Sequence, residues 1–230
     1  MSLPKKLKIL CLHGYRQNAA VFREKTGGFR KSVKKYVKEF KFLEGPCLIK
    51  TNDAGDPRED SENEKLNERG WWFSRKDGYY KSTHDSDYCS GLEESIKIVS
   101  DELLNAEKNG EPYDGIVAFS QGACLMTIIS HQIEFHGKKN EFPFKFMMLF
   151  SGFKSAGTDH QKYYENKFQN FESFHSVGLD DKVVVAERGL ALAELFENST
   201  VKGCFENYFR PESCLSSHSL TIQSRSKTYR

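Results

Sequence analysis

Three features of the chain predict an α/β fold, a mainly parallel sheet with helices on both faces. Short apolar runs alternate along the sequence with charged segments of helical spacing, the pattern of right-handed βαβ units. The run Gly115-Ile116-Val117-Ala118-Phe119 stops at Ser120 and passes directly into an apolar helix, Cys124-Leu125-Met126-Thr127-Ile128-Ile129. With 230 residues, 38% of them hydrophobic, the chain is long enough to bury one sizeable core.

Lys8 to Leu12 reads as a first buried strand, and His13-Gly14-Tyr15 as the loop leaving its carboxyl end. Residues 18–38 are helical in pattern but interrupted at Gly27-Gly28, which predicts two short helices or one kinked one. Phe40 to Leu43 is a second strand, closed by Gly45-Pro46. Residues 50–85 form a long polar excursion around an aromatic island, Trp71-Trp72-Phe73, with Tyr79-Tyr80 beyond; an excursion of this kind inside a domain is usually functional or mobile. Apolar residues at 92, 96, 99, 103 and 104 place a helix over Ser90 to Lys108. Phe144 to Phe150 is a strand, Ser173 to Val177 a weaker one, Val185 to Phe196 an amphipathic helix, and Thr200 to Phe205 the last strand. From Glu206 the pattern decays and Pro211 interrupts it. The expectation is one domain over residues 1–205 and a poorly ordered tail over 206–230.

The 34 basic and 32 acidic side chains leave a net charge of +2, so no strong field points to nucleic acid or an anionic membrane. No apolar run has membrane-spanning length. The basic-then-apolar start, Lys5 to Leu12, is too short for a signal peptide and fits a core strand. Six cysteines show no C-x-x-C pair and no histidine at metal spacing, so neither a metal nor another cofactor is expected. Cys11 and Cys124 lie in apolar runs, as buried free thiols of a reducing compartment would, and the expected location is cytoplasmic.

Ser120 between Ala118 and Gly122 is the layout of a nucleophile elbow, in which a sharp strand-to-helix turn exposes a serine hydroxyl above a parallel sheet. Such a serine needs a base, an acid that orients the base, and donors for an oxyanion. Asp180 and Asp181, between a strand and a helix, are the acid candidates; their bland reading is a helix cap beside a solvated carboxylate. The backbone N–H groups of Gln121 and Tyr15 are the expected oxyanion donors, and His13 reads as a structural bridge. Trp71-Trp72-Phe73 is either a hydrophobic plug or a cap over an acyl pocket, two roles that do not exclude each other.

Leu12-His13-Gly14-Tyr15-Arg16-Gln17-Asn18, Phe22-Arg23-Glu24-Lys25-Thr26-Gly27, Gly70-Trp71-Trp72-Phe73, Phe119-Ser120-Gln121-Gly122-Ala123 and Gly178-x-x-Asp181-x-Val183-Val184 together resemble the FSH family of serine hydrolases. The resemblance runs in order from about residue 6 to residue 204. It implies an α/β-hydrolase fold, Ser120 as nucleophile, Asp181 as triad acid, and hydrolysis of small acyl esters or thioesters. The family carries its catalytic histidine in a segment like Gly-Gly-His-Phe-x-Pro after the last strand. Here that stretch reads Glu206-Asn207-Tyr208-Phe209-Arg210-Pro211, with Tyr208 in the histidine's place. A phenol of pKa about 10 is a poor base at neutral pH. His218, the only histidine farther along, sits in a segment without motif and reads as an exposed tail residue. Two functions therefore stand: a serine carboxylesterase or thioesterase acting through an acyl-enzyme, and a catalytically impaired hydrolase fold that binds an acyl ligand or a protein partner.

Overall fold

The computed structural model describes residues 5–49, 67–136 and 144–204, together with the backbone of 220–223. In chain order the elements are β1 (Leu7–Leu12), α1 (Ala19–Lys25), α2 (Gly27–Val33), β2 (Val37–Leu43), β3 (Cys47–Leu48), β4 (Arg69–Gly70), α3 (Leu92–Lys108), β5 (Gly115–Phe119), α4 (Gln121–Phe135) and β6 (Phe146–Phe150). A 3₁₀ helix (Thr158–Tyr164), β7 (Phe168–Gly178), α5 (Ala186–Ala193), β8 (Phe196–Cys204) and β9 (Leu220–Gln223) complete them. Among the described residues six strands pair in parallel in the order β2-β1-β5-β6-β7-β8, and β9 adds to β8 in antiparallel fashion.

Strand alternation divides the core between the two faces of this sheet. Leu10 and Leu12 of β1 and Ile116 and Ala118 of β5 point into the larger core with Trp71, Trp72 and the apolar side of α3. Ile9, Cys11 and Val117 point the other way, onto Phe22 of α1 and Phe29 of α2. A sheet covered on both faces needs strands that are apolar throughout, which is why β1 and β5 stand out in the sequence. α4 runs through the larger core and is buried from Gln121 to His131.

The segment after β1 resolves into two helices, but the break falls at Thr26, and Gly27 and Gly28 open α2. The Thr26 hydroxyl donates to the Phe22 carbonyl at 2.8 Å, ending α1. β7 starts earlier than its sequence pattern predicts, because only its stretch from Glu172 to Ser176 lies against β6. Its first residues include exposed Gln169, Asn170 and Glu172, which dilutes the apolar signal. β8 likewise begins four residues before its expected start. β9 falls in the stretch that the sequence leaves without regular structure. Cys11 and Cys124 are buried free thiols, whereas Cys204 is disulfide-bonded. No helix among the described residues is long and apolar enough to cross a membrane.

β1 has β2 on one side and β5 on the other, so the chain reverses its direction of travel across the sheet between them. Connections leave the carboxyl ends of β1 and β5 in opposite directions, and that divergence opens a crevice where ligands bind in open α/β sheets. Leu12 lies beside Ala118 in register, which sets His13 and Gly14 against the end of β5.

Candidate active site

Ser120 follows β5 and caps α4 with φ 50° and ψ −114°. Positive φ on a residue with a Cβ stores of order 1–3 kcal/mol, which the surroundings must hold. They do so on both sides of the residue: the Ser120 N–H donates to the Phe150 carbonyl at 2.9 Å, and its carbonyl accepts from Cys124 N–H at 3.0 Å. The side chain is half-buried and therefore reachable. Gly122 permits the turn. A Cβ there would stand 2.5 Å from the His13 carbonyl oxygen and 2.8 Å from that of Leu12, so only glycine lets α4 approach the exit of β1. Gly14 does the same from the opposite side, where a Cβ would meet the Phe119 ring at 2.8 Å.

The loop after β1 is pinned residue by residue. Gln17 accepts from Gly14 N–H at 3.1 Å, and Asn18 caps α1 by accepting from Val21 N–H at 2.8 Å. Arg16, at φ 62°, donates through Nε to buried Glu68 at 2.7 Å. His13 is wholly enclosed: its Nε2 accepts from Gly45 N–H at 2.9 Å, so the proton sits on Nδ1 and goes to the Gly14 carbonyl at 2.8 Å. Burial pushes its pKa down to about 4. It bridges loop backbone as a neutral ring, and the Arg-Gln-Asn run that marks the sequence is the loop's anchor.

Gln121 supplies a contact that sequence reasoning missed. Its side chain, wholly buried, accepts from Trp71 N–H at 2.9 Å and donates to the Trp72 carbonyl at 2.8 Å. Trp71 Nε1 donates to the His13 carbonyl at 2.7 Å, and its ring stacks on His13 at 4.9 Å. The Trp71 carbonyl accepts from the Ser95 hydroxyl of α3. The elbow, the loop after β1 and the aromatic island are thus one bonded unit. Trp71 is sealed inside it, while Trp72, also buried, borders a small cavity with Tyr80, Ser82, Ser155 and His160. The backbone N–H of Gln121 is the first amide of α4, one of those a helix leaves without an intrahelical acceptor. Tyr15 follows Gly14, and its hydroxyl accepts from Tyr80 N–H at 3.2 Å.

Asp181 is half-buried in the loop after β7, and Asp180 is exposed. Asp181 Oδ1 accepts from Val183 N–H at 2.8 Å and Val184 N–H at 3.0 Å, which fixes the carboxyl group without using Oδ2. His175 lies in β7 between neighbouring strands; burial lowers its pKa to about 3, and its Nε2 meets Ser173 Oγ at 3.0 Å. His160 Nδ1 meets Ser155 Oγ at 2.7 Å. Among the described residues no histidine is hydrogen-bonded to Ser120 or Asp181. Tyr208 and His218 lie outside the described residues. No group of metal-ligating side chains occurs among those described.

The model of the serine hydrolase (FSH1) family matches residues 1–206. Esterase OVCA2 of Danio rerio is 35% identical over 223 residues, spanning 94% of this chain and 95% of that one. Esterase OVCA2 of Xenopus tropicalis is 36% identical over 196 residues, spanning 85% and 82%. Among solved structures, esterase PE8 superposes with a TM-score of 0.59 at 14% identity, covering 91% of this chain and 88% of that one, a likeness of fold. Matched over residues 1–206, which hold the elbow, the loop after β1 and the aromatic island, the chain belongs to the FSH1 family of serine hydrolases.

Proposed function

We propose that this chain is a serine carboxylesterase or thioesterase that hydrolyses small acyl esters through an acyl-enzyme. The observation that carries the reading is the strained backbone of Ser120, held at φ 50° at the carboxyl end of β5 in a chain of a serine hydrolase family. The esterase names of its relatives agree with it. In this mechanism Ser120 Oγ attacks the acyl carbonyl. The oxyanion takes hydrogen bonds from the Gln121 and Tyr15 amides, preorganised donors whose individual removal costs about 3 kcal/mol of transition-state stabilisation. Collapse expels the alcohol or thiol, and water then releases the acid. Asp181, half-buried with one carboxylate oxygen already fixed by two amides, is the acid. Asp180, exposed and without a hydrogen bond among the described residues, is solvated. Trp71 and Trp72 support the acyl pocket, with Trp72 the member that borders a cavity.

Tyr208 at the family's histidine position favours a second reading, an impaired hydrolase fold that retains the pocket and binds an acyl ligand or a protein partner. Hydrolysis of p-nitrophenyl butyrate separates the two. On the first reading the intact chain exceeds the solution rate and Ser120→Ala returns it to that rate. Turnover that survives Ser120→Ala, or none in the intact chain, removes the hydrolase reading and leaves the binding one. We further place the protein in the cytoplasm on the buried free thiols of Cys11 and Cys124. Among the described residues the Cys204 disulfide is the feature that fits an oxidising compartment instead.

A further inference from the structure

Summed over the chain the charge is only +2, but the fold does not spread it evenly. Residues 23–38 hold seven basic side chains and one acidic one, a net +6, so the rest of the chain carries −4. They span the end of α1, all of α2 and the start of β2, the strand at one edge of the sheet. Phe22 packs on Phe42 with ring centroids 5.8 Å apart, and Phe29 on Phe40 at 6.2 Å, so both helices lie flat against β2. Arg23 and the lysines at 25, 31, 34, 35 and 38 are exposed.

Part of this charge has an ordinary reason. Arg23 and Lys25 close α1, and Arg30 and Lys31 close α2, where cations complement the helix dipole. Lys34 caps α2, but Lys35 and Lys38 lie beyond it, out of the dipole's reach. Among the described residues these seven basic side chains make one ion pair, Lys38 with Glu111 at 3.8 Å. Like charges gathered without counter-ions repel one another, a cost that an anionic partner would relieve. Among the lysines Tyr36 is 55% exposed, with Lys35 Nζ 4.7 Å above its ring.

We propose that this face docks on an anionic phospholipid bilayer, its lysines in the field of the headgroups and Tyr36 at the interface between headgroup and acyl chain. Polybasic surfaces are drawn to anionic lipid, and tyrosine is enriched at that depth because its ring is apolar and its hydroxyl wet. Nucleic acid is the other polyanion of the right sign, and the geometry disfavours it. The two planar guanidiniums, suited to bidentate phosphate or base contacts, are turned onto the protein. Arg23 Cζ and Arg30 Cζ lie 6.0 and 5.9 Å from the Phe42 ring, and Arg30 Nη2 donates to the Arg23 carbonyl at 2.9 Å. α1 and α2, seven residues each and flat on the sheet, present no projecting helix to a major groove. What remains outward is lysine, a point charge on a flexible stem that suits a surface without fixed register. The inference goes beyond the hydrolase reading and holds with or without turnover.

The test is sedimentation of the full chain with phosphatidylcholine vesicles, with and without phosphatidylserine, beside a titration with duplex DNA at the same ionic strength. Binding is expected to the phosphatidylserine vesicles alone, and to weaken steeply as salt is raised. Lys31→Ala, Lys34→Ala and Lys35→Ala together should lower that affinity about a hundredfold, roughly fivefold for each lysine. These side chains are exposed, so the thermal melt should not move. A control that removes the same charge elsewhere, Lys76→Ala, Lys108→Ala and Lys162→Ala, should bind as the parent does. Tyr36→Ser should weaken binding and leave its salt dependence as it was. Should the triple variant not fold, Tyr36→Ser and the salt dependence of the intact chain decide. The proposal is overturned if the phosphatidylserine vesicles bind nothing or no better than neutral ones. It is equally overturned if affinity is unchanged in the folded triple variant or in Tyr36→Ser, if the control loses as much, or if duplex DNA binds more tightly than the vesicles. Sedimentation needs no turnover, so a chain that binds vesicles but hydrolyses no ester keeps this surface and loses the hydrolase reading.

Discussion

His13 adjoins the proposed oxyanion loop and yet is held neutral, its two ring nitrogens committed to Gly45 N–H and the Gly14 carbonyl. Its pKa falls from 6.5 to about 4 on folding because burial penalises the imidazolium. The unfolded chain therefore takes up a proton below about pH 6.5 that the folded chain refuses until about pH 4. The stability that His13 contributes is complete above pH 6.5 and is lost as pH falls toward 4, on the order of 3 kcal/mol for this ring. His175, lowered to about 3 by the same cause, adds a loss of the same sign that continues lower. Urea midpoints measured from pH 7.5 to 4.5 should fall steeply below 6.5, and a flat profile refutes the assignment. At this scale the sequence makes His13 readable as a bridge, since it sits between a buried strand and a glycine. The Gln121 clamp is not readable. Its partners are backbone groups 50 and 49 residues away, with no residue pattern to betray them.

Between elements, the contact that decides the site is α4 against the exit of β1. The sequence announces both partners, since an apolar run ending in a small-residue turn has few other uses. It does not announce β3, β4 or the 3₁₀ helix, which are too short for periodicity to register, nor the early start of β7, where exposed positions interrupt the apolar pattern. Gly122 tests the contact. An alanine Cβ would press on two carbonyl oxygens, and backbone cannot yield as a side-chain tip can. Gly122→Ala is expected to cost about 1–3 kcal/mol of stability and to push the Gln121 and Tyr15 amides apart. Thermal melts check the first effect. Loss of p-nitrophenyl butyrate turnover beyond any unfolded fraction checks the second. A variant as stable and as active as the parent would show that α4 does not need this approach.

For the molecule as a whole, the proposed mechanism turns on the sequence beyond β8, where the family carries its histidine. The parallel sheet presents Ser120 after β5 and Asp181 after β7, and in this fold the base comes third in chain order. The order of the proposed serine and acid is legible because each sits at a strand's carboxyl end. The base is not, because the family's histidine position holds Tyr208, which lies outside the described residues. On the proposed mechanism, a serine without a base near neutrality loses general-base assistance, a factor of about 10² to 10⁴, while the proposed oxyanion amides still act. Changing Glu206→Gly, Asn207→Gly and Tyr208→His together restores the Gly-Gly-His-Phe-x-Pro segment ahead of Pro211. Turnover of p-nitrophenyl butyrate should then rise by about that same factor, and Ser120→Ala in the restored chain should remove the gain. Stopped-flow or plate kinetics on the two chains measures it directly. The expectation fails if the unaltered chain already works at ordinary enzyme rates and His218→Ala abolishes them, since the base would then come from His218 and not from the position that Tyr208 holds.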